Sequence, residues 1–245
     1  MKTLKSIFVA AALVLGTAAV ASVQSDDAKV GTAVDASGIV LSGLNQKPLP
    51  LPPGQWRIVG RIEHDLVITY PTDADIVTPM VALTLLNEDK TSPVVVAVID
   101  YPSNQVHVRW RNAVCDAGKA QYAETFGTTT GTIQYGCAKL YSRSNDSFKK
   151  YLQGLPSKSQ YWQARFKPLT PYIDGLPESY NWNDFYFNLN RGRTLTATLI
   201  TKANTDGKAG DAADVAARDF LRVVGQAYLN WVSNEDASIP AYPAH

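Results

Sequence analysis

The chain is poor in the residues that usually announce chemistry. It has two cysteines, Cys115 and Cys137, and three histidines, one of which, His245, is the final residue. Zinc and copper centres draw three or four ligands from cysteine, histidine and carboxylate groups, so this shortage argues against a metal site. Charge of one sign is also lacking. Lys and Arg together number 23 against 22 for Asp and Glu, a net charge of +1, which removes the global electrostatic case for a nucleic-acid partner. Beyond the first residues no apolar stretch approaches the ~20 residues that span a bilayer, so no transmembrane segment is expected after the start of the chain. No Gly-x-Ser-x-Gly elbow or phosphate-cradling glycine loop is found, and there is no internal repeat. The expectation is a protein without cofactor, metal or assigned catalytic residue.

What is present begins at the start. Lys2 and Lys5 precede the apolar run from Ile7 to Leu15, and Ala19-Val20-Ala21 follows as a small-x-small site, the pattern of a secretory signal peptide. Cleavage is expected after Ala21, giving an exported chain, periplasmic or secreted, in a bacterial envelope. In that compartment Cys115 and Cys137 are expected to form one disulfide. Closing a loop of this length restricts the unfolded chain by about 3 kcal/mol. The plan that follows is a signal peptide over 1–21, a mobile leader over 22–46 with at most one edge strand near Gly38 to Leu44, and a single α+β domain over 47–245. A division into two halves near Ser142 is the alternative.

The run from Pro48 to Gly54 must be extended, because proline fixes φ and disfavours helix in the residue before it. From Trp56 apolar residues alternate, placing Trp56, Ile58 and Ile62 on one face and Arg57, Arg61 and Glu63 on the other. Val81 to Leu86 and Val94 to Ile99 are apolar on both faces and read as central strands. Leu66 to Tyr70 is read as a continuation of the strand from Trp56, and further strands are expected at Val106 to Trp110 and Thr132 to Tyr141. A hairpin of Phe185 to Leu189 with Thr194 to Thr201 would turn at Asn190-Arg191-Gly192. Short helices are expected from a cap at Ser144 or Asn145 through Gln153, and from Ser159 to Phe166. Asp211 to about Ser233 carries a long amphipathic stripe of Ala213, Ala217, Phe220, Val224, Ala227 or Tyr228, and Trp231. The fold class is therefore α+β: a mainly antiparallel sheet, one disulfide, two short helices and a long C-terminal helix.

The opening Leu51-Pro52-Pro53-Gly54-Gln55-Trp56, then Trp110 with Cys115 five residues on, then Cys137, resembles a pattern of exported bacterial proteins without an established activity. The resemblance spans Leu51 to Cys137 and carries over no functional residue.

Candidate chemistry lies in four places. Glu63-His64-Asp65 sets a histidine beside two carboxylates, but strand neighbours point to opposite faces, so the three do not converge. His107, Arg109 and Arg111, extended by Arg57 and Arg61, form a basic stripe or simply the solvated side of a sheet. The densest feature is aromatic: 10 of the 24 aromatic residues lie between Tyr151 and Phe187. Within it Tyr180, Trp182, Asn183, Asp184 and Tyr186 interleave rings with amide and carboxylate groups, a mixture suited to stacking on a sugar and bonding its hydroxyls. These five are the candidate binding residues, for an envelope glycan or another surface component. Asp174, Glu178 and Asp184 flank the same region and would serve an envelope hydrolase if two of them stood about 5 to 9.5 Å apart. A structural partner in an envelope assembly, docking through the leader or the proline run, is the remaining alternative.

Overall fold

The computed structural model describes residues 22–35, 38–42, 44–69, 75–103, 115–127, 135–143, 147–189, 193–203 and 210–242. The expected signal peptide, the strand at Val106 to Trp110 and the turn Asn190 to Gly192 lie outside them. Among the described residues ten strands are formed: β1 (Val23–Gln24), β2 (Ala33–Val34), β3 (Ile39–Val40), β4 (Trp56–Thr69), β5 (Asp75–Asn87), β6 (Val94–Pro102), β7 (Tyr122–Gly127), β8 (Tyr135–Arg143), β9 (Tyr180–Leu189) and β10 (Arg193–Lys202). The helices are α1 (Phe148–Gln153), α2 (Gln160–Phe166) and α3 (Gly210–Val232), with 3-10 segments at Leu155–Ser157 and Lys167–Gly175. The α+β class and the Cys115–Cys137 disulfide are both present.

Eight strands make one antiparallel sheet in the order β2-β4-β5-β6-β10-β9-β8-β7. All nine residues of β6 are buried, which is why a strand without polar alternation sits at the centre, covered on both faces. One face packs on α3 through Leu195, Ala197, Leu199, Phe185 and Phe187 against Phe220, Val224 and Tyr228. The opposite face is covered by α1, α2 and the 3-10 segments through Phe148, Leu152, Phe166 and Leu169. Two cores therefore share one sheet, each reading alternate residues of the same strands.

Three local readings need correction. The described part of the leader is packed: Ile39 and Leu41 are fully buried. Asn45 Nδ2 donates to the Trp231 carbonyl (2.6 Å), while the Trp231 indole donates to the Lys47 carbonyl (2.8 Å), so the segment is tied to the end of α3. In β4 a bulge between Ile58 and Gly60 interrupts the alternation. An extra residue flips every later side chain, so Ile62 and His64 leave the face of Trp56 and Ile58, and Arg61 and Glu63 take it. Finally α1 is preceded by Ser147 as its N-cap residue, later than Ser144 or Asn145.

One glycine positions the site described below. A Cβ on Gly60 would lie 2.4 Å from Pro168 Cγ. Its absence lets the Lys167–Gly175 segment rest on β4, which fixes the end of α2 and hence Arg165 over the sheet.

Candidate functional site

The aromatic segment is a strand, and this decides which of its side chains can act together. β9 begins at Tyr180, not at Phe185, and pairs residue for residue with β8 and β10. Period-2 alternation then sends Tyr180, Trp182, Asp184 and Tyr186 to the α1–α2 face. Asn183 goes to the other face, where it is buried and its amide donates to the Leu199 carbonyl at 3.0 Å. The structure thus brings together four of the five candidate residues and leaves Asn183 apart.

Those four line a cleft of ≈ 630 Å³. β8 contributes Tyr141, α1 contributes Lys150 and Tyr151, α2 contributes Trp162, and Lys158 stands between the helices. The Trp182 ring is 4.9 Å from Phe166, 5.3 Å from Tyr151 and 5.7 Å from Trp162, so it is both wall and core. The disulfide stands nearby, because Cys137 pairs with Tyr186 across the β8–β9 ladder.

Beneath the cleft lies a buried polar network. Thr198 donates to Asp184 Oδ1 (2.6 Å), and Arg165 Nη2 donates to Thr198 Oγ1 (2.9 Å) and to Asp100 Oδ2 (2.8 Å). Thr196 donates to the same Asp100 oxygen at 2.9 Å, and His64 Nε2 lies 3.3 Å from Oδ1. Arg165 and Asp100 are only 2% and 1% exposed, so the pair is fully withdrawn from water. The guanidinium also lies over Tyr161, Trp162 and Phe166, 5.0, 5.1 and 5.5 Å from their ring centres, contacts that reward a desolvated cation.

Local sequence builds this network simply. Thr196 and Thr198 of β10 alternate with Leu195, Ala197 and Leu199, which face α3. On β6, Val96 and Val98 enter the α1–α2 core, and Asp100 continues the same row. His64 reaches it diagonally, past the small Ala82 of the intervening β5.

Burial pushes the Asp184 carboxyl above the usual carboxylate range, although Thr198 and Arg165 pull the other way. The Tyr186 and Tyr161 phenols are pushed up by burial first and by the nearby Asp184 and Asp100 charges next. For Arg165 burial opposes the charge, but Asp100 and its anionic surroundings outweigh that and hold the guanidinium protonated.

No family model, curated protein or solved structure matches the chain. The reading of the site therefore rests on its own geometry.

That geometry separates the candidate carboxylates. Asp174 lines a different cleft of ≈ 210 Å³ and pairs with Lys149 at 3.1 Å. Glu178 is exposed, and Asp184 alone of the three faces the aromatic walls. In Glu63-His64-Asp65 the histidine's carboxylate partner is Asp100, from two strands away. Of the basic stripe, Arg57 bonds both oxygens of Glu88 and Arg61 bonds Glu63, while His107, Arg109 and Arg111 lie outside the described residues. Among the described residues no cluster of three or more potential metal ligands forms.

Sequence reasoning did not single out Asp100, Arg165, Thr196 and Thr198. A usable signal existed in Asp100, a carboxylate in line with the apolar row of Val96 and Val98, because such a charge must find a partner. The arrangement offers flat aromatic faces, a carboxyl at the floor held by a rigid relay, and two lysines at the rim. Chemically it suits retention of a polar ring better than cleavage by paired carboxylates.

Proposed function

We propose that this is an exported, non-catalytic binding protein of the bacterial envelope, periplasmic or secreted, that recognises envelope glycan or another surface component through the aromatic cleft. The observation that carries the reading is the convergence of Tyr180, Trp182, Asp184 and Tyr186 on one cleft with Tyr151 and Trp162 opposite. Stacking on several rings holds a sugar by its apolar face, and a fixed carboxyl orients its hydroxyls.

The test is incubation of the mature, oxidised protein with envelope glycans, measuring both co-sedimentation and soluble fragments. Trp182→Ala is a poor probe, since truncating a buried tryptophan costs about 3 to 5 kcal/mol of stability. Tyr186→Leu and Asp184→Asn are better, with near-UV circular dichroism reporting the fold. Binding that weakens in both variants without fragment release supports recognition. Release abolished by Asp184→Asn would replace this reading with that of a hydrolase.

A further inference from the structure

The charge around the cleft is distributed unevenly between floor and rim. The carboxylate facing it, Asp184, is buried, with Oδ1 taken by Thr198 and Oδ2 3.4 Å from the Tyr186 hydroxyl. Lys150 and Lys158, by contrast, are exposed at the rim. Among the described residues neither lysine pairs with a carboxylate. Lys149, next in sequence, points elsewhere and is taken by Asp174. A third cation lies close: Lys139, opposite Asp184 on β8, sits 5.9 Å over the Tyr186 ring. A ligand entering the cleft thus meets cationic groups at the mouth, aromatic faces along the walls, and below them a carboxyl whose Oδ1 is taken by Thr198.

We infer that the cleft takes an anionic glycan, with its carboxylate or phosphate substituent held between Lys150 and Lys158 while its ring stacks on the aromatic wall. The inference rests on the glycan-binding reading above and adds the charge of the ligand. Lysine ammonium groups serve as flexible point charges for either kind of oxyanion. At an exposed rim two such contacts together amount to about tenfold in affinity, and salt screens them.

The experiment measures binding of the mature protein to matched probes by calorimetry. One pair is hexagalacturonate and its methyl ester, and the other is phosphomannopentaose and its dephosphorylated form. The expected result is that at least one acidic member binds about tenfold tighter than its neutral twin, with the preference shrinking as salt is raised. The double variant Lys150→Gln/Lys158→Gln should lose the preference, binding the acidic and neutral members of each pair alike. The pair that shows the effect identifies the anion as carboxylate or phosphate. Equal affinity within both pairs, or a preference that survives the double variant, overturns the anionic assignment and leaves glycan recognition standing. Failure of all four probes and of envelope glycans to bind overturns both.

Discussion

Replacing Arg165 by methionine should be among the most damaging single changes on the α1–α2 face. Methionine fills the slot between Tyr161, Trp162 and Phe166 with a polarizable chain and keeps favourable ring contacts, so the lost quantity is mainly the charge. What remains is Asp100, 1% exposed, without the guanidinium that stood 2.8 Å from its Oδ2. Removing one partner of a buried pair costs about 3 to 5 kcal/mol. With a urea slope of about 2 kcal/mol/M, the unfolding midpoint should fall by roughly 1.5 to 2.5 M. Combining Arg165→Met with Asp100→Asn removes both charges and keeps an acceptor for Thr196 and His64. The double variant should then be more stable than the sum of the two single losses by about 2 kcal/mol, a coupling within the range seen for contacting residues. Urea titrations of the four oxidised proteins, followed by tryptophan fluorescence, supply the cycle. A loss below about 1 kcal/mol for Arg165→Met, or strict additivity, would refute the view of a strongly coupled buried pair.

Two further outcomes follow from geometry. The Asp184 carboxyl titrates above its ordinary value of 3.8 because of burial, so the folded state holds its proton more tightly than the unfolded state does. This group therefore costs stability progressively as pH rises from about 4 toward the raised folded value. Asp184→Asn should remove that slope, gaining on the parent protein with rising pH across the window, as thermal unfolding at several pH values would read; parallel curves would count against it. Gly225→Ala places a Cβ 2.2 Å from the Phe126 ring, and overpacking of this kind costs about 1 to 3 kcal/mol. That should exceed the gain of about 1 kcal/mol from helix propensity. Phe126→Leu in the same chain should restore part of the loss, and a neutral Gly225→Ala on its own would show that α3 does not press on β7 as described.

What could be read from the sequence was whatever depended on neighbours along the chain. The periodic stripe of α3, the central strands and the paired cysteines all appear where their local patterns place them. The aromatic cluster was legible as composition, but starting the strand at Phe185 left Tyr180 to Asp184 without a face and grouped Asn183 with residues that strand geometry sends to the other face. Extending β9 by five residues would have separated them. The bulge in β4 left no comparable mark, because its effect emerges only when register with β5 is known. Asp100, Arg165 and Thr198 were out of reach for the same reason: they come from β6, α2 and β10, and only the folded sheet makes them neighbours. The leader misled through composition. Few apolar residues can still be decisive when Ile39 and Leu41 are both fully buried.

The double reading of β9 also constrains how this protein can change over generations. Its even-numbered residues from Tyr180 to Tyr186 serve the cleft, while Phe185 and Phe187 serve the packing of α3, and both neighbouring ladders fix the count. One inserted or deleted residue would exchange the two sets, delivering Asp184 into an oily layer and Phe185 into the polar relay. Ligand preference can therefore drift along β9 only by one-for-one replacement. The exposed stretch between α1 and α2 carries no such restriction, so length variation among descendants should accumulate there, beside Lys158, and reshape the mouth of the cleft while its floor stays in step.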